Sequence, residues 1–153
     1  MSPAAGAPPA RKGYVDVPGG QVHFRSAGDG PPVVLLHDSP RSSVLHLPNL
    51  PWLAREFSVF ALDTPGYGNS TPLPADPIPT IPDFAAALAG TLQALGLRRP
   101  AVYGFHTSSK TALALAAQAD APLGGAVLDG LSLPAAPPPE AFIAAYMLPF
   151  EVH

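Results

Sequence analysis

The stretch Ala101-Val102-Tyr103-Gly104-Phe105-His106-Thr107-Ser108-Ser109-Lys110, running directly into the Ala/Leu-rich segment Thr111 to Ala119, constrains this chain more than any other. A short apolar strand turns into a helix with no linker between them. Gly104 lets the backbone turn tightly, and His106 is presented at the tip, above the N–H groups that the first turn of a helix leaves free. This is the geometry of a nucleophile elbow, whose usual pattern is G-x-S-x-G. Here the spacing holds, but His106 stands at the centre and Ser108 replaces the last glycine.

The elements before and after the elbow follow from apolar periodicity. Tyr14 to Val17 and Gln21 to Arg25 alternate on either side of Pro18-Gly19-Gly20, which predicts an antiparallel hairpin at a sheet edge. Pro32 to Leu36 and Ser58 to Leu62 are continuous apolar runs, the pattern of strands buried on both faces. They end at His37 and Asp63. A short helix is expected around Pro51 to Ala54, with proline in its first turn. A longer one begins near Thr80, where Thr80 and Asp83 have capping-box spacing, carries Phe84, Leu88, Leu92 and Leu95 on one face, and stops at Gly96. Gly125 to Leu128, closed by Asp129, is a further strand. Strands alternating with helices predict an α/β fold: a mostly parallel sheet covered on both faces, with ligands at the carboxyl ends of its strands.

Composition limits what such a sheet can serve. The chain has 153 residues, 47% hydrophobic and 12% charged, enough for one buried core. A net charge of −3 supplies no basic field, so neither nucleic acid nor an anionic membrane is an expected partner. With no cysteine there is no disulfide or thiolate chemistry. Residues 1–12 are rich in Pro, Ala and Gly without the apolar core of a signal peptide, and are expected to be a flexible lead-in to a cytoplasmic protein.

Four motifs in order, Leu35-Leu36-His37-Asp38-Ser39-Pro40, Asp63-Thr64-Pro65-Gly66-Tyr67-Gly68-Asn69-Ser70, Gly104-Phe105-His106-Thr107-Ser108 and Val127-Leu128-Asp129-Gly130, resemble the N-terminal half of an α/β-hydrolase-fold protein. The second is the most specific, and the first looks like the H-G-x-P loop of the epoxide hydrolase and haloalkane dehalogenase branch, with Asp38 where glycine is usual. The resemblance covers residues 14–130. It implies strand order 1-2-4-3-5-6, a core over residues 13–130, and the start of a cap segment over 131–153. It also implies that the acid and catalytic histidine lie further downstream than His153, so the chain is expected to be truncated before the last strands. The strand at Gly125 to Leu128 would then be an open edge on which a second copy or a complementary chain could pair.

His106 is the leading catalytic candidate, either as a general base toward water or as the space-filling relic of a lost nucleophile. Acyl-enzyme chemistry at this position is not expected. The resemblance places the oxyanion hole at the backbone N–H groups of Thr107 and Ser39. Asp38 puts a carboxylate in that loop, where it either faces the pocket and repels a developing oxyanion or pairs with Arg41. His37 is expected to be a packed, hydrogen-bonded residue. Asp63 should pin the turn after its strand. Asp129 either orients His106 or closes a plain turn. Ser108 and Ser109 are expected to bond locally to backbone, Lys110 to lie at the surface, and Trp52, Phe105, Tyr146 and Phe150 to line an apolar pocket or the core. No metal and no cofactor is implied. The expected ligand is a small apolar molecule, an ester, epoxide or related substrate.

Overall fold

The computed structural model describes residues 9–132. Six strands form one sheet: β1 (Arg11–Val17), β2 (Gly20–Ala27), β3 (Pro32–Leu36), β4 (Ser58–Leu62), β5 (Ala101–Phe105) and β6 (Gly125–Asp129). Their spatial order is β1-β2-β4-β3-β5-β6, as the resemblance implies. β2 pairs antiparallel with β1 and β4, and the remaining pairs are parallel. A single 3-10 turn (Ser43–His46), α1 (Leu50–Leu53), α2 (Ile81–Ala94) and α3 (Thr107–Ala116) cover the faces.

The alternation of side chains along the central strands sorts the core into two layers. Val34, Leu36, Leu62 and Val102 meet Leu88 and Leu92 of α2 and Ala112 and Leu115 of α3. Leu35, Val59 and Ala61 point the other way, toward Leu50 of α1, with Leu53 and Tyr103 packed around them. Each buried Leu contributes about 1.5–3 kcal/mol relative to exposure. This is how continuous apolar runs serve a sheet with two covered faces.

The ends of α2 follow their sequence signals. The Thr80 N–H donates to Asp83 Oδ2 at 2.7 Å. At the other end Gly96, at φ 68°, lets its N–H reach the Gln93 carbonyl (2.9 Å) and the Leu97 N–H reach that of Leu92 (3.0 Å). That reverse turn satisfies two carbonyls the helix would leave free.

Three boundaries differ from expectation. β1 begins at Arg11, inside the segment expected as a lead-in, with Arg11 opposite Ser26 and Lys12 opposite Arg25. Backbone pairing needs no apolar side chain, and charged residues are at home on an edge strand. β5 runs through Gly104 to Phe105, which is paired with Asp129 of β6, so the turn begins at His106 itself. α3 ends at Ala116 rather than Ala119, and the chain tightens into turns from Ala117. Residues 133–153, which hold most of the expected cap segment with Tyr146 and Phe150, lie outside the described residues.

Candidate functional site

The polar residues singled out in the sequence gather at the carboxyl ends of β3, β4, β5 and β6. His106 follows β5 at φ 52°, ψ −106°, a left-handed conformation that a non-glycine residue holds at a cost of about 1–3 kcal/mol. Several bonds hold it there. Its N–H donates to the Asp129 carbonyl at 2.8 Å, and its own carbonyl accepts from the N–H of Ser109 at 3.2 Å and from the Ser109 hydroxyl. Gly104 permits the turn because a Cβ there would lie 2.7 Å from the Ser108 carbonyl oxygen, closer than real contacts allow. The imidazole itself is exposed.

Both hydroxyls past the tip are engaged by backbone. Ser108 Oγ accepts from the Phe105 N–H and donates to the Phe105 carbonyl, each at 3.1 Å, and Ser109 bonds the His106 carbonyl. Neither is placed as a substitute nucleophile.

The loop after β3 carries the other expected site residues. His37 is buried; its Nε2 accepts from the Thr64 N–H at 2.9 Å, which assigns its proton to Nδ1, bonded to the Asp38 carbonyl at 2.8 Å. It ties two loops together. Asp38 Oδ1 lies 3.6 Å from Arg41 Nε, and that oxygen, though buried, has no hydrogen-bond partner. The Ser39 N–H donates to the Thr107 hydroxyl at 2.8 Å, between residues 68 positions apart. Of the two backbone groups expected to bind an oxyanion, one is therefore already bonded inside the protein.

Asp129 is brought to His106 through its backbone only. Its carboxylate instead accepts from the Tyr103 hydroxyl at 2.6 Å. Partial burial, then the bond to Asp129 and that residue's charge, push the Tyr103 phenol up to about 12, so it stays protonated and donates.

Two buried histidines were not singled out in the sequence. His46, on the 3-10 turn, is 2% exposed, packs edge-on to Tyr103 with ring centres 6.0 Å apart, and has no partner for Nε2. Burial, opposed by a bond to the Leu36 backbone, holds its pKa below the ordinary histidine value. His23 of β2 meets Asp63 at 2.8 Å, both 1% exposed. Asp63 also accepts from the N–H groups of Ser43 (2.6 Å) and Asn69 (2.9 Å), while Ser70 Oγ donates to its carbonyl. Burial pushes the Asp63 carboxyl up, but these bonds outweigh it and hold it below the usual carboxylate range. Asp63 pins the turn as expected. Gly68, at φ 56°, is required there because a Cβ would collide with the Asp63 carboxylate.

A groove of about 700 Å³ runs between the β1–β2 turn, residues 65–79 and α2, away from the elbow. A space of about 20 Å³ bordered by Leu36, Leu62, Phe84 and Ser108 lies beneath the elbow. Among the described residues no three His, Asp or Glu side chains come together as a metal site, and no helix is long and apolar enough to cross a membrane.

The fold has relatives among known proteins. Residues 31–152 match the α/β hydrolase fold family. The chain belongs to that family. It is 34% identical over 106 residues to a proline iminopeptidase of Heyndrickxia coagulans, covering 67% of this chain and 37% of that protein. It is 35% identical over 55 residues to an (E)-2-((N-methylformamido)methylene)succinate hydrolase of Acinetobacter baylyi, covering 36% of this chain and 21% of the relative. Among solved structures, an epoxide hydrolase from an endophytic Streptomyces superimposes with a TM-score of 0.69 at 29% identity, covering 76% of this chain and 36% of that one. An epoxide hydrolase from Vigna radiata gives a TM-score of 0.77 over 90% of this chain and 47% of that one, and at 20% identity shows the fold alone. The Streptomyces neighbour agrees with the epoxide-hydrolase-like branch read from the motifs. The chain spans little more than a third, or less, of the two hydrolase relatives it matches in sequence.

Proposed function

We propose that this α/β-hydrolase-family chain contributes to the hydrolysis of a small apolar ester, epoxide or related molecule, with His106 acting as a base toward water where relatives place a nucleophile. The carrying observation is the elbow: an exposed imidazole on a strained left-handed backbone that five hydrogen bonds around the turn hold in place. Strain of this kind persists where the surrounding structure enforces it, and it clusters at working sites. A positioned base contributes about 10²–10⁴-fold to rate. On a panel of small esters and epoxides, His106→Ala should lower turnover by about 10²-fold or more. Undiminished turnover sinks the proposal.

A second reading, a catalytically degenerate protein that binds a small ligand or partner chain without turnover, is favoured by one observation. The Ser39 N–H is occupied by Thr107, which removes a donor that acyl transfer needs. Saturable binding on the same panel with no product formed would select it.

A further inference from the structure

We propose that the Thr107 hydroxyl is an internal occupant of the oxyanion corner and decides which ligand oxygens this site accepts. The Ser39 N–H reaches Thr107 Oγ1 at 2.8 Å, and Thr107 cannot drift from it, because the first turn of α3 is anchored. Ser108 bonds Phe105, Ser109 bonds the His106 carbonyl, and Gly104 allows the helix to press against β5. As the first residue of α3, Thr107 has an N–H with no acceptor inside the helix.

A hydroxyl that accepts from one N–H still has its own proton to donate. A ligand oxygen arriving here therefore meets the O–H and N–H of one residue, instead of two backbone N–H groups from separate segments. A carboxylate or developing oxyanion gains the second backbone donor only by displacing the hydroxyl from Ser39. An oxygen that both donates and accepts, such as that of an alcohol or water, finds a partner that does both. The site is thus set toward neutral, hydroxyl-bearing ligands and against carboxylates.

The inference rests on reading this corner as the ligand pocket, but its test does not depend on turnover. Acetate is titrated at constant ionic strength while the backbone amides of Ser39 and Thr107 are followed by NMR in the wild-type chain, Thr107→Ala and Thr107→Ser. Thr107→Ala is expected to bind acetate about tenfold more tightly, the weight of one such hydrogen bond, with the Ser39 amide moving saturably. Thr107→Ser, which keeps the hydroxyl, should behave as wild type. Equal titration of wild type and Thr107→Ala overturns the proposal, as does a serine variant that behaves like alanine. If neither amide moves in any variant, the pocket assignment falls with it. Hydrogen exchange in the unaltered chain decides the matter even if the alanine variant does not fold: a slowed Ser39 amide supports the hydroxyl contact, and exchange at the rate of an unprotected amide overturns it.

Discussion

Asp63 at the end of β4 and His106 at the end of β5 lie at the same end of the sheet with β3 between them, yet they are built in opposite ways. Asp63 is 1% exposed, and its carboxylate accepts from His23, Ser43 and Asn69. His106 is exposed on a strained backbone, with its bonds made by main chain and its ring left toward solvent. A residue surrounded by satisfied partners stabilises the fold and is unavailable to a ligand. A residue held rigidly by its backbone but with a free side chain is what a reacting site requires. Of these two corners, the proposed chemistry is placed at His106 and the stability at Asp63.

The largest effect should come from breaking the satisfied corner. Asp63→Ala leaves a buried His23 unpaired and the buried Ser43 N–H without an acceptor, and is expected to destabilise the chain by roughly 3–5 kcal/mol in urea unfolding. A loss under about 1 kcal/mol would show that the network is not what holds the loop. The same corner sets an acid dependence. The folded carboxyl titrates below its unfolded value, so its contribution is fully present above the unfolded pKa and disappears as pH falls through the lower, folded one. The urea midpoint should therefore decline below about pH 4, and Asp63→Asn should flatten that decline.

This contrast was only half legible in the sequence. Val33 to Leu36 and Ser58 to Leu62 announced buried parallel strands because a two-sided environment demands apolar residues at both parities, and Gly96 and Thr80 announced the ends of α2 through local backbone chemistry. The elbow was legible for the same local reason. What escaped were pairings between residues distant in sequence: His23 with Asp63, 40 positions apart, and Ser39 with Thr107, 68 apart. Periodicity says which face a residue takes, not which polar partner waits there. His46 escaped because a single 3-10 turn is too short to show a period that would reveal Ser43 and His46 as buried. Asp129 was expected either to orient His106 or to close a plain turn, and the sequence did not show that its carboxylate bonds Tyr103, whose hydroxyl reaches it from β5 on the same face of the sheet.

At the strained corner the expected change has the opposite sign. His106→Gly relieves a φ of 52° that only glycine adopts freely, and should stabilise the chain by up to about 1 kcal/mol, net of glycine's larger unfolded entropy. His106→Ala keeps a Cβ and the strain, so its stability should stay near wild type while turnover falls. If glycine and alanine are equally stable, the elbow is not strained in solution and the contrast between the corners weakens.

The smallest effect tests whether Asp129 belongs to one corner or the other. Tyr103→Phe removes the hydroxyl that holds its carboxylate, at a cost of about 1 kcal/mol or less, because Asp129 is exposed and water replaces the bond. The freed carboxylate sits on the residue whose carbonyl already holds the His106 N–H. If it turns to the imidazole it bonds a ring N–H, and the His106 ring signals followed by NMR should shift in Tyr103→Phe. A shift would mean that Tyr103 keeps the carboxylate away from the imidazole, making the separation of the two an arrangement of this chain rather than a limit of its geometry. An unchanged ring would mean that Asp129 belongs to the turn alone, and that His106 works without an orienting carboxylate from the described residues.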